Sequence, residues 1–285
     1  MTRFFAKWET KQSFNVLSRM NLSFPESLRK KIEEYYYSYY WLELGHKNWK
    51  RMAEDRLKED ELIGTRAVEW VREWIPTPIQ GAKTLIVGGG TGAETVAFTK
   101  ANAQVTVLEP HQGACEIILE KLAVYGLKNV QVDCGVGEKM SYANGEFDLM
   151  ICITVLEHTQ DPMACLDEMI RVLKPKGWLF LMTPEYSSLY EQHYKRDLPL
   201  FLPKWLIKVW LRVLKRPADF IDTLQFVNYK MLRDKFSMLP VNAFYRHYPW
   251  PEEWVNGINK MGRKCYRYGK IFKIQRDQFW LVQKI

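Results

Sequence analysis

Five short apolar runs alternate with helical patterns through the middle of this 285-residue chain, and that alternation limits its fold more than any other feature. The runs are Thr84-Leu85-Ile86-Val87, Val105-Thr106-Val107-Leu108, Val130-Gln131-Val132, Phe147–Ile153 and Trp178–Met182. Between them the sequence predicts helices from about Ala93, over His111–Tyr125 and over Pro162–Leu173. Strands that are apolar at nearly every position are covered on both faces. Helical crossovers of this length join parallel neighbours, right-handed. The expectation is an α/β domain with a mostly parallel sheet.

The chain then divides into four stretches. Residues 1–80 form a helical extension or lid, with amphipathic stretches around Glu26–Tyr40 and Glu59–Trp74; the second stops before Pro76 and Pro78, which cannot continue a helix. Residues 81–185 are the alternating core, and 186–222 are a helical insertion after the fifth strand. Residues 223–285 hold a last core helix and a terminal hairpin, Lys270–Ile274 and Gln278–Lys284 joined through Gln275-Arg276-Asp277, which brings the sheet to seven strands.

Composition narrows the classes. Five cysteines without CxxC spacing argue against a disulfide framework or a structural zinc site, and no metal is expected. The N-terminus lacks the apolar core of a signal peptide, and no stretch is long and apolar enough to span a bilayer, so a cytoplasmic protein, at most peripheral to a membrane, is expected. The net charge of +8 is uneven: residues 186–285 hold 19 Lys and Arg against 8 Asp and Glu, leaving the rest net acidic. Such a segment suits an anionic partner, or is simply solvated surface.

Val87-Gly88-Gly89-Gly90-Thr91-Gly92 joins the first strand to the next helix. Missing Cβ atoms let backbone approach a ligand closely, and the helix start offers free N–H groups. Glu109 closes the second strand 19 residues after Gly90, where a carboxylate can accept from both hydroxyls of a ribose. Turn plus acid point to an adenosine cofactor, either a nicotinamide dinucleotide or another.

The residues from Gly135 onward separate the two. Gly135–Met140, Glu146-Phe147-Asp148, Leu156-Glu157-His158-Thr159-Gln160-Asp161-Pro162 and Arg171-Val172-Leu173-Lys174-Pro175-Lys176-Gly177-Trp178 resemble, in order and register, the class I methyltransferases of the ubiquinone/menaquinone-biosynthesis type. The resemblance covers about residues 82–185. It implies a Rossmann-like sheet in the order 3-2-1-4-5-7-6 with helices on both faces, S-adenosylmethionine as cofactor and S-adenosylhomocysteine as product. It further implies that Gly88, Gly89, Gly90 and Gly92 lie against the methionine part, that Glu109 holds the ribose, that Val136 and Gly137 flank the adenine, and that Thr154 lines the pocket. Ile86 stands where the family often has an acid, and Val136 where it often has Asp.

Methyl transfer asks for an aligned acceptor and the loss of its proton. His158, just past the fourth strand, and His193, in Tyr190-Glu191-Gln192-His193-Tyr194 of the insertion, are the candidate bases; each also reads as a loop tie or surface histidine. Tyr36, Tyr40, Tyr190 and Tyr194 are candidate substrate contacts, and Tyr36, Tyr39 and Tyr40 share a helix face. In Pro203–Pro217, Lys204, Lys208, Arg212 and Arg216 recur every four residues beside Trp205 and Trp210, which reads as an interfacial helix or as a lid packed on the sheet with its cations in water. A small-molecule acceptor, acidic or lipophilic, is expected, by O-methylation before N- or C-methylation. No Asn/Asp-Pro-Pro-aromatic run is present, and nucleic acid is disfavoured. The alternatives are a nicotinamide oxidoreductase and a non-catalytic scaffold at a membrane surface.

Overall fold

The computed structural model describes residues 24–187, 189–246 and 277–285. Five parallel strands, β1 (Lys83–Val87), β2 (Gln104–Glu109), β3 (Gln131–Cys134), β4 (Phe147–Ile153) and β5 (Leu173–Pro184), alternate with helices α3 (Ala93–Lys100), α4 (Gln112–Val124) and α5 (Pro162–Val172). A short ribbon, β6 (Tyr190–Glu191) with β7 (Arg196–Asp197), follows β5. The main sheet ends with β8 (Val241–Arg246) and β9 (Asp277–Lys284), both antiparallel. Its order is β3-β2-β1-β4-β5-β9-β8, the predicted arrangement once the ribbon is set aside.

The terminal pairing differs from expectation. β9 sits between β5 and β8, with Phe244 opposite Leu281 and Leu179 opposite Val282. Lys270–Ile274 lie outside the described residues. β8 alternates half-buried and exposed positions, as a strand at the sheet's rim does.

Strand side chains alternate between two cores. On one face Leu85, Val87, Met150, Cys152, Leu179 and Leu181 pack against α5 and against α8 (Tyr229–Ser237) through Leu166, Met169, Leu232 and Phe236. On the other, Ile86, Val107, Leu149, Ile151 and Phe180 meet α3, α4 and the C-terminal half of α2 (Trp49–Trp74). Helix α2 is therefore part of the sheet's cover: Trp70 and Trp74 stack on Phe180, and a Cβ on Gly64 would strike the backbone of Ala93. Its inner end buries an ion pair, Lys121 Nζ to Asp60 Oδ1 at 2.8 Å, which Arg56 joins at 3.6 Å. Helix ends are made locally. His111 Nδ1 accepts from Ala114 N to start α4, and Asp161 caps α5 through the amides of Met163 and Ala164, with Pro162 in the first turn.

The insertion holds α6 (Lys204–Val213) and the short α7 (Phe220–Thr223), and it reverses the lid orientation expected from the sequence. Ile207 and Leu211 are buried, and Lys204, Lys208 and Arg216 turn toward the protein while Arg212 stays exposed. Lys204 Nζ donates to the Leu224 carbonyl at 2.6 Å, Lys208 pairs with Asp222 and Asp219, and Arg216 donates to the Gly45 carbonyl. Trp205, Val209, Trp210 and Val213 face solvent instead, beside Phe201. No helix among the described residues is long and apolar enough to cross a membrane.

Candidate active site

At the carboxyl ends of β1, β2 and β4 a cavity of about 620 Å³ opens between the sheet and a roof of aromatic side chains. This is where open α/β sheets bind ligands. Gly88, Gly89 and Gly90 form its floor. Gly90 has φ +51° with nothing within 4 Å of a would-be Cβ, so that atom would project into the cavity. Gly88, at φ +75°, lies against Val155, which any side chain there would strike. Glu109, 6% exposed, binds the turn to the next strand: its Oε2 accepts from Gly90 N at 2.9 Å and its Oε1 from His111 N at 3.0 Å. A carboxylate has lone pairs to spare beyond two such bonds, so it still can receive a ribose. Thr154, just past the end of β4, has φ +53°, a costly conformation for a β-branched residue, and faces the same space.

Not every expected contact is a wall. Gly92 caps α3 over Ile118. Val136 is half-exposed on the loop after β3, and Gly137 is packed under Cys165 Sγ. Tyr190 pairs with Asp197 in the ribbon, and Tyr194 is buried beside Phe220. None of these five lines the cavity. Tyr36 and Tyr40 do, stacked at 4.8 Å, and Tyr35 and Tyr39 join them. Helix α1 (Glu26–Tyr36) passes directly into a π-helical stretch, Tyr37–Glu43, and such widened turns are frequent at functional sites. Tyr39 reaches Phe220 at 5.5 Å and His158 at 6.3 Å, closing the roof.

The two predicted histidines meet. His158 Nε2 lies 3.1 Å from His193 Nε2, and both rings face the cavity. His193 Nδ1 lies 2.7 Å from Glu191 Oε1; this glutamate is fully buried and held through Oε2 by the amide of Tyr194. The acid two residues upstream thus orients the ring. His46 Nε2 donates to the His193 carbonyl at 2.6 Å from beneath. Glu157 is fully buried, one oxygen taking Thr183 Oγ1 at 3.0 Å. Burial lifts its carboxyl to about 7. Burial also drives His158 down to about 3, reinforced by the charge on His193. For His193 burial pulls the same way, yet the bond to Glu191 outweighs it and the ring titrates above its ordinary value.

Sequence reasoning missed Arg56, Glu94, His111, Lys195 and Phe220, all in the cavity wall. Arg56 Nε donates to Thr91 Oγ1 at 2.9 Å, tying α2 to the glycine turn. Arg56 and Glu94 put one charge of each sign near that turn, while Ile86, in the place of the family's acid, is a core residue of the far face. Nothing local in the sequence marks Arg56, Lys195 or Phe220.

Residues 85–181 match the model of the methyltransferase domain family. Over these residues the chain is similar to the class I methyltransferases. The chain is 31% identical over 142 residues to a ubiquinone biosynthesis O-methyltransferase of Thiobacillus denitrificans, covering 50% of this chain and 59% of that protein. To the protein of the same name from Xanthomonas oryzae it is 35% identical over 109 residues, 37% of this chain and 44% of the other. The chain thus spans about half the length of these curated relatives. Among solved structures, an S-adenosylmethionine-dependent methyltransferase from Mesorhizobium loti superposes with TM-score 0.54 at 11% identity, over 78% of this chain and all of that one. The cyclase SpnF does so with TM-score 0.54 at 17% identity, over 90% and 92%. These two likenesses are of fold. One of the two proteins is a cyclase, which illustrates that this fold hosts more than one chemistry.

Proposed function

We propose that this chain binds S-adenosylmethionine over the glycine turn and transfers its methyl group to a hydroxyl of a small-molecule acceptor held under the tyrosine roof. One observation carries the reading: a single cavity runs from Gly88, Gly90 and Glu109 to the paired imidazoles of His158 and His193. The floor fits the cofactor, because Gly90 leaves the space a side chain would fill and Glu109 faces it with oxygens able to accept more. Glu109 holds the ribose, and Arg56 and Glu94 are the charged groups nearest a zwitterionic amino-acid tail. When bound, the sulfonium supplies an electrophilic methyl group.

The rest falls to the chain. Tyr36, Tyr39, Tyr40 and Phe220 exclude water and confine a planar or lipophilic acceptor; His158 and His193 engage its hydroxyl, where the proton must leave. The relatives' O-methyltransferase names support oxygen over nitrogen or carbon, and a phenolic, quinone-like acceptor fits the aromatic roof. Calorimetric titration with S-adenosylhomocysteine, followed by labelled-methyl transfer into small-molecule extracts, tests the reading. Binding of a dinucleotide in preference to S-adenosylhomocysteine overturns it. The apolar face of α6 supports delivery of such an acceptor from a lipid surface, by insertion of Trp205 and Trp210.

A further inference from the structure

We propose that Cys115 and Cys134 are a thiol-oxidation site, closing into a reversible disulfide that loosens the hold of the cavity floor on the cofactor. The bond depends only on the two thiols; its effect rests on the cofactor reading above.

Three observations carry it. The first is proximity. The two cysteines lie 19 positions apart in the chain, yet their Sγ atoms stand 2.6 Å from one another. Both are free thiols. A disulfide has an S–S length of about 2.05 Å, so closure asks for roughly 0.6 Å of approach, within the reach of side-chain torsions. The sheet register makes the meeting. Cys134 ends β3 opposite Glu109, the last residue of β2, and α4 begins at Gln112 and carries Cys115 back over that pair. No spacing motif announces it, and one conditional bond is not a disulfide framework.

The second is unequal access. Cys134 is exposed, whereas Cys115 is 2% exposed. Burial pushes the Cys115 thiol up to about 12. It therefore rests protonated and shielded, while Cys134 meets reagents from solvent, the division between an attacking and a resolving thiol. The oxidant is a low-molecular-weight disulfide. Cys134 gives up its proton and its sulfur bonds to one reagent sulfur as the reagent's S–S bond breaks; the first small thiolate leaves and takes up a proton. Cys115 Sγ then bonds to Cys134 Sγ as the mixed disulfide breaks, and the second small thiolate leaves with the Cys115 proton. Two cysteine thiols are oxidised and one small disulfide is reduced to two thiols. Because the two sulfurs are held together, the second step is intramolecular, which offsets the reluctance of the buried thiol to ionise.

The third is what the bond touches. Cys115 Sγ donates to the Glu109 carbonyl at 3.4 Å, and the amide of Gly135 donates to the same oxygen at 3.2 Å. The Glu109 carboxylate in turn holds the amides of Gly90 and His111. Oxidation removes the Cys115 S–H hydrogen, so the Glu109 carbonyl loses that donor. It also draws the end of β3 toward the start of α4, on either side of Glu109, and carries the loop that begins at Gly135 with it. The acid assigned to the ribose thus loses part of its support.

The test uses the full chain. Reduced protein is incubated with a graded series of oxidised glutathione, remaining thiols are alkylated, and peptides are mapped by mass spectrometry. Two of the five thiols should disappear together, giving one linked peptide pair that holds Cys115 and Cys134, and dithiothreitol should restore both. In calorimetry, S-adenosylhomocysteine should bind the oxidised chain about threefold to tenfold more weakly, the scale of one lost hydrogen bond. Cys134→Ser should keep the affinity of the reduced chain and lose the response to oxidant. Cys115→Ser removes the resolving thiol and should leave Cys134 capped by glutathione. An oxidised native chain in which Cys134 stays free, or carries glutathione beside a free Cys115, overturns the pair. A linked pair with unchanged S-adenosylhomocysteine affinity overturns its coupling to the floor. A reduced chain that binds no S-adenosylhomocysteine overturns the cofactor reading instead, and the linked peptide still decides the thiol pair.

Discussion

The floor and the roof of the cavity are made differently. The floor is backbone: Gly88, Gly89, Gly90 and the ends of β1, β2 and β4, cross-braced by Glu109 over 19 residues of chain. The roof is side chains gathered from afar: tyrosines of residues 35–40, His158, His193 from the ribbon and Phe220 from α7. A backbone floor can grip only what many proteins share, the nucleoside and amino-acid parts of a cofactor. A side-chain roof can be rewritten one residue at a time, which is where acceptor choice belongs. The division predicts that floor changes act on cofactor affinity and folding, and roof changes on turnover.

The sharpest test is at the boundary. His193→Ala is expected to lower methyl transfer by about 10²- to 10⁴-fold while leaving S-adenosylhomocysteine affinity within twofold of native; single-turnover rates beside calorimetry measure both, and a matching loss of cofactor affinity would erase the distinction. Next, Gly88→Ala sets a Cβ into Val155 at φ +75°. Strain of that kind costs roughly 1–2 kcal/mol before the clash is added, so a fall in stability of about 2 kcal/mol or more is expected in urea unfolding. The same change at Gly90, with open space around it, should cost less stability but more affinity. Glu109→Ala should weaken cofactor binding by about 1–3 kcal/mol, the loss of charged hydrogen bonds; equal affinity in calorimetry would remove Glu109 from the floor. Smallest of all, Trp205→Ser with Trp210→Ser should shift stability by no more than about 0.5 kcal/mol, both rings being at least half exposed. It should also abolish co-sedimentation with lipid vesicles. Retained sedimentation would sever α6 from any lipid surface.

How much of this could be read in the residues divides along the same line. β1 to β5, the glycine turn and Glu109 were legible because their signals are local: a short apolar run, a turn, an acid at a strand end. The convergence of His158 and His193 was not, since each looked like an isolated histidine and only the ribbon brings them together. Arg56 lay outside both predicted amphipathic stretches, in the part of α2 before Glu59. The pairing of β9 with Val241–Arg246 was not legible, because the two strands lie far apart in the chain and nothing local marks either as the other's partner. For α6 the inward turn of Lys208 was hidden, because Asp219 and Asp222, which draw it inward, follow a bend that the four-residue spacing does not show.

Helix α2 bears on how the chain tolerates being shortened. At 26 residues it is a rod of about 39 Å, seated at one end on Phe180 and Phe279 and at the other on Thr91. A version trimmed to begin at residue 80 would uncover an aromatic shelf on one face of the sheet and strand the Lys121 ammonium without its counter-ion. The segment before the first strand is a keystone that the catalytic unit cannot shed.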